Sequence, residues 1–119
     1  TLEVCERSAF SDREGFIIAK DGDRVVGYIA YGDPDEGPSG TGAIFGLYVL
    51  SEYHGTGVGR QLMDAALSQL KDRSQIFLWT LKENKRAIRF YDKCGFHPDG
   101  EETINPRIDA AEIKMVLKR

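Results

Sequence analysis

A mixed α/β sheet with helices packed against it is the fold class this chain predicts, and three observations carry the prediction. Two apolar stretches flank a tight-turn signal near the N-terminus. A glycine-rich loop then joins an apolar stretch to an amphipathic helical pattern, and a second strand–helix unit follows. A hairpin feeding a strand–helix–strand unit gives one sheet of mixed strand direction.

The elements follow in order. Residues 1–14 are polar and without a strong period, and read as a short helix or an irregular segment. Gly15 to Lys20 reads as a strand, Asp21-Gly22-Asp23 as a tight turn, and Val25 to Tyr31 as the antiparallel partner. Asp33 to Thr41 is a loop rich in proline, glycine and acid, and Ala43 to Leu50 is the next strand. Beyond the glycine loop, Val58, Leu62, Ala66 and Leu70 recur on one helical face with Met63 and Leu67 beside them. Lys71 and Arg73 follow, where cations suit the helix dipole. Ile76 to Leu81 is a short apolar run, which reads as a buried strand. Asn84 is an N-cap residue, Ala87, Ile88, Tyr91 and Cys94 keep helical spacing, and Gly95 is a helix stop. Two strands complete the order strand, strand, strand, helix, strand, helix, strand, strand: Phe96 to Glu102, then, after a loop holding Pro106, Glu112 to Leu117.

A chain of 119 residues is read as one domain, 1–119, with 41% hydrophobic and 29% charged residues, an ordinary globular balance. Its net charge of -3 and pI near 5.4 argue against nucleic acid as a partner and mildly favour a cationic one. No apolar run approaches membrane-spanning length, so no membrane partner is expected. Cys5 and Cys94 lack metal-ligand spacing, and only His54 and His97 join them, so no metal is expected. Two reduced thiols fit a cytoplasmic protein. A homodimer is compatible with the sequence, which carries no signal for one. The chain opens on Thr1, which is compatible with an upstream segment lost or left out and with a minimal version.

Tyr53-His54-Gly55-Thr56-Gly57-Val58-Gly59-Arg60 is the chemically richest stretch. Glycines let the backbone approach a ligand, and the free N–H groups of a first helical turn face an anion. A pyrophosphate-bearing cofactor is implied. The dinucleotide fingerprint fails because Gly59 comes one residue early. The P-loop fails because Arg60-Gln61 stands where Lys-Ser/Thr is needed.

Leu47-Tyr48-Val49, the glycine loop, and Asn84-x-x-Ala87-Ile88-x-Phe90-Tyr91-x-x-x-Gly95-Phe96 together resemble the GNAT N-acetyltransferases, from about Gly15 to the C-terminus. The resemblance implies a GNAT-like acyl-CoA N-acyltransferase fold, with acetyl-CoA as co-substrate. In this reading Leu47, Tyr48 and Val49 lie along the pantetheine arm on a bulged strand, and the Val49 N–H polarises the thioester. His54, Gly55, Thr56, Gly57, Val58, Gly59 and Arg60 hold the pyrophosphate. His54 stands where the family has Gln or Arg, which implies weaker or more pH-dependent cofactor binding. Asn84 bonds the pantetheine, caps its helix, or does both. Tyr91 is the general acid for the leaving thiolate, against a plain reading as a core tyrosine. Cys94 is read as a packing residue and not as a nucleophile.

The implied reaction is direct attack by a primary amine: a polyamine, another small-molecule amine, or a protein N-terminus or lysine. The alternative is a non-catalytic acyl-CoA sensor or partner domain on the same fold. No acid lies on the two strands where relatives often place one, and no base is named; Asp33, Asp35, Glu36, Glu101 and Glu102 are loop candidates. Trp79, Tyr28 and Tyr31 are candidates for the acceptor side, with plain sheet packing preferred for Trp79. The family's N-terminal strand and helices, which form much of the acceptor site, are expected to be short or missing.

Overall fold

The computed structural model describes residues 2–11, 14–35 and 37–119, with the backbone course alone for 6–11. Its strands are β1 (Leu2–Ser11), β2 (Glu14–Asp21), β3 (Arg24–Gly32), β4 (Thr41–Val49), β5 (Gln75–Leu81), β6 (His97–Asn105) and β7 (Ala110–Lys118). They form one sheet in the order β1-β2-β3-β4-β5-β7-β6. All neighbours are antiparallel except β4 and β5, whose parallel pairing requires the crossover helix α1 (Val58–Gln69). A second helix, α2 (Lys85–Lys93), lies between β5 and β6.

Period-two alternation sorts the sheet into two unlike faces. On one face Ile17, Ala19, Ile29, Ile44, Ile76, Leu78 and Met115 are buried under Val58, Leu62, Met63, Ala66 and Leu70 from α1 and its C-cap. Each large apolar side chain buried here contributes about 1.5–3 kcal/mol relative to exposure. Ile88, Phe90 and Tyr91 of α2 pack against the same cluster, beside the fully buried Phe96. Both helices therefore cover one face. The other face carries Phe16, Tyr28, Tyr48, Phe77 and Trp79, and among the described residues no helix covers it.

Three expectations need correction. The helix or irregular segment expected over residues 1–14 is, over Leu2–Ser11, a strand paired antiparallel with β2. Leu2 and Val4 reach the core beside Ala19, and this contact outweighs the polar residues between them. A strand thus precedes β2 where one was expected to be short or missing, while among the described residues no helix does. The strand expected over Phe96 to Glu102 is β6, which runs on to Asn105 and is held by its ladder to β7 although nearly all of it is exposed. The β5 run is buried on one face only: Trp79 is 37% exposed on the other. Tyr31 is buried in the helix-covered core, where its ring fills the space beside Gly15, so it does not line an acceptor surface.

Gly27 lets β3, β4 and α1 approach one another: a Cβ there would stand 2.8 Å from the Tyr48 carbonyl oxygen and 3.1 Å from a Leu62 methyl. At Gly46, two residues before Tyr48 on β4, a Cβ would meet nothing within 4 Å. Gly27→Ala is therefore expected to cost about 1–3 kcal/mol, read as a lowered urea midpoint. Gly46→Ala should stay within about 0.5 kcal/mol of the parent.

Candidate active site

The site begins with a failure of strand pairing. β4 and β5 are in register only at Thr41 with Gln75, Gly42 with Ile76 and Ala43 with Phe77. Immediately beyond, the β3–β4 register jumps from Ala30–Gly46 to Tyr31–Ile44, which leaves Phe45 as a bulge residue. A bulge bends its strand and sharpens the twist. The ladder to β5 ends there, and a slot opens between Gly46–Val49 and Leu78–Leu81.

Backbone polarity makes this slot receptive. The Leu50 N–H donates to the Val26 carbonyl at 2.9 Å, toward β3. Amides alternate sides along an antiparallel strand, so the N–H and C=O groups of Leu47 and Val49 point away from β3 into the slot. An extended ligand with amides of its own can bond there as an added strand. One of the four groups is engaged: the His54 ring donates from Nε2 to the Val49 carbonyl at 2.9 Å. A carbonyl can only accept, so this nitrogen carries the proton. His54 therefore spends one ring nitrogen on the slot strand.

After the turn Ser51–Tyr53, the chain reaches Gly55 and Gly57 with φ of +79° and +92°. A side chain is strained at such angles. No side chain caps α1 at Gly57, and its first bond runs from the Gln61 N–H to the Gly57 carbonyl at 3.0 Å. The N–H groups from Gly57 to Arg60 are thus left for an anion, at the positive end of the helix. At Gly59 a Cβ would stand 3.3 Å from the Phe90 ring, so this glycine lets α2 close onto the first turn of α1.

α2 supplies the opposite wall. Asn84 Oδ1 accepts from the Ala87 N–H at 3.1 Å, which fixes the helix start and leaves the Asn84 amide NH2 for a ligand. Tyr91 lies one side of Phe90 and packs edge-on against Phe90 and Phe96. Burial, and secondarily Cys94, holds the Tyr91 hydroxyl above its ordinary value, so it is protonated at neutral pH. Burial likewise pushes the Cys94 thiol up, which makes it a poor nucleophile.

Slot, glycine loop and α2 enclose a cavity of about 600 Å³. Of the residues singled out from sequence, Leu47, Tyr48 and Val49 line it from β4, and His54, Gly55, Gly57, Gly59 and Arg60 from the loop. Asn84 and Tyr91 complete it from α2. Two side chains fall outside: Val58 is buried in the core, and the Thr56 hydroxyl donates to the Tyr53 carbonyl. Sequence reasoning missed Arg86 and Lys93, cavity-lining cations on α2 seven residues apart, a spacing that places them on one side of the helix. Arg60 is held by Asp64 and by the Lys93 carbonyl, both at 3.1 Å. Three cations beside free amides suit a pyrophosphate.

The acid candidates lie elsewhere. Asp33 is paired with Arg73, near the closed end of the β4–β5 pair. Glu101 bonds Lys114 and Glu102 bonds Lys82, each at 2.9 Å. Asp35 is on the exposed loop, and Glu36 lies outside the described residues.

The model of the acetyltransferase (GNAT) family matches residues 2–96. The chain belongs to this family. It is 33% identical over 100 residues to the mycothiol acetyltransferase of Geodermatophilus obscurus, covering 80% of this chain and 32% of that protein. Among solved structures, the NatC complex bound to Gag peptide and CoA superposes at a TM-score of 0.76 with 26% identity, covering 87% of this chain and 70% of that one. The IAA acetyltransferase of Bacillus cereus matches over the full length of both chains at a TM-score of 0.80, with 20% identity, a likeness of fold. The chain spans about a third to three fifths of the length of the curated relatives it matches. The GNAT acyl-CoA fold with its bulged β4 and parted β4–β5 pair is therefore what the chain adopts.

Two outcomes test the site. Asn84→Ala should cost about 1 kcal/mol of stability through the lost cap, visible in thermal melts without ligand. In an ultraviolet titration, Tyr91 and Tyr53, the latter bonded to Asp21, should ionise above the ordinary value of 10.0, and Tyr91→Phe should remove one of these late steps. A raised hydroxyl favours the neutral form in the folded state. The Tyr91 contribution to stability is thus full below pH 10 and lost as pH rises through its folded value.

Proposed function

We propose that this chain is an acetyl-CoA-dependent N-acetyltransferase acting on a primary amine. The observation that carries the reading is the parted β4–β5 pair, with the glycine loop and Tyr91 lining one cavity with it. The Leu47 N–H and C=O and the Val49 N–H take the pantetheine arm as an added strand, and the amides of Gly57 to Arg60, with Arg86 and Lys93, hold the pyrophosphate. The Val49 N–H donates to the thioester oxygen as negative charge develops there.

The amine attacks the thioester carbon, the C–S bond breaks, and the sulfur leaves with the electron pair. Tyr91, kept protonated by burial, gives its proton to that sulfur and regains one from solvent. Water takes the proton that the amine sheds. The raised Cys94 thiol argues for this direct route over an acyl-enzyme. Relatives named mycothiol acetyltransferase and N-alpha-acetyltransferase 30 support acetyl transfer as the reaction class.

Calorimetry with acetyl-CoA, and with NAD and ATP as controls, tests the donor; selective binding of acetyl-CoA is expected. Amine-dependent release of free thiol tests the chemistry. Tyr91→Phe should lower kcat by about 100-fold with little change in acetyl-CoA affinity. Binding without amine-dependent thiol release would instead indicate an acyl-CoA sensor.

A further inference from the structure

The helix-free face of the sheet gives a second approach to the slot. The cavity described above lies on the helix side. On the opposite side the two banks of the slot are Gly46 and Tyr48 of β4, and Trp79 and Leu81 of β5. Tyr48 is 53% exposed and Trp79 37%. Tyr48 continues an aromatic row across the sheet, with ring centroids 6.1 Å from Tyr28, and Tyr28 stacks on Phe16 at 5.2 Å. At Gly46 a Cβ would meet nothing within 4 Å, so the β4 bank is bare there.

A carboxylate of this surface stands beside the β5 bank. Glu112 of β7 stands directly opposite Leu81 in the β5–β7 ladder, and Lys114 directly opposite Trp79. Opposed residues share a face, and Lys114 Nζ lying 4.6 Å from the Phe77 ring centroid marks it as the helix-free one. The neighbouring charges are committed: Lys114 to Glu101 at 2.9 Å and Asp99 at 4.0 Å, and Lys82 to Glu102 at 2.9 Å. On the β6 side Glu112 faces Thr103, which is neutral. Among the described residues Glu112 has no ion-pair partner.

Its distance from the slot defines its use. Glu112 is displaced from the β5 bank by one strand spacing, about 4.8 Å. It is therefore offset from the point of attack, where it can hold a second charge while the attacking nitrogen occupies the slot. Resting on the acetyltransferase reading above, we propose that the acceptor is a small alkyl diammonium or polyammonium compound that crosses the helix-free face. One amine enters the slot as the nucleophile, its carbon chain lies against Trp79 and Tyr48, and a second ammonium group is held by Glu112.

The test is calorimetric titration of the CoA-saturated protein with 1,4-diaminobutane and with butylamine, which lacks the second charge. The diamine should bind at least 10-fold more tightly. Glu112→Gln, at a half-exposed position, should abolish that preference while leaving acetyl-CoA affinity unchanged, and Glu112→Asp should restore a substantial part of it. In turnover with 1,4-diaminobutane, Glu112→Gln should raise KM about 10-fold with kcat changed less than twofold. Equal binding of the two amines, absence of diamine binding, or a preference that survives Glu112→Gln would overturn the proposal. Diamine binding that depends on Glu112 without acetylation would uphold the subsite and contradict the catalytic reading alone.

Discussion

β4 leaves β5 after three register pairs, and most of the site depends on that parting. Buried backbone amides are nearly always paired, so a strand that turns from its neighbour must offer its groups to something else. Here the bulge at Phe45 sets the turn, the β3 ladder holds the other edge of β4, and the Leu47 and Val49 amides face the gap. The buried underside of the sheet, locked to α1 through Leu62, Met63 and Ala66, keeps this arrangement rigid. The slot is thus a consequence of the core, and its opening does not rely on a mobile loop.

The remaining features act on what the parting provides. Gly55 and Gly57 turn the chain so that the start of α1 points its amides at the end of the slot. Gly59 gives up its side chain so that Phe90 can bring α2 across the opening, and Asn84 fixes where α2 begins. Burial of Tyr91 then serves two purposes at once: it seats the ring in the core and keeps the proton on its oxygen. The two faces of the sheet differ in chemistry, with the free amides and cations of the cavity on the helix side and exposed aromatic rings with Glu112 on the other.

Legibility in the sequence followed local physics. The β2–β3 hairpin, the α1 face from Val58 to Leu70 and the Asn84 cap were readable because each is a short-range pattern that the fold preserves. β1 was not, because only Leu2 and Val4 alternate before polar residues interrupt, and the strand exists through its pairing with β2. β6 was expected from Phe96 to Glu102, but not the break in its ladder to β7 between Pro98 and Glu102, where Gly100 takes a φ of +95°. Uniform apolarity from Ile76 to Leu81 concealed that only one face of β5 is buried. In the site, glycine spacing and the Asn84–Tyr91 interval marked two walls, but nothing local tied Arg86 and Lys93 to a cavity or Glu112 to Leu81 across a ladder.

Hydrogen–deuterium exchange with and without acetyl-CoA tests the central claim most directly, because it reads the amides themselves. Protection should appear at Leu47 and Val49 and from Gly57 to Arg60, with no change in the loop from Asp33 to Gly40. Acetyl-CoA binding that leaves the Leu47 and Val49 amides exchanging as before would contradict the added-strand account of the slot.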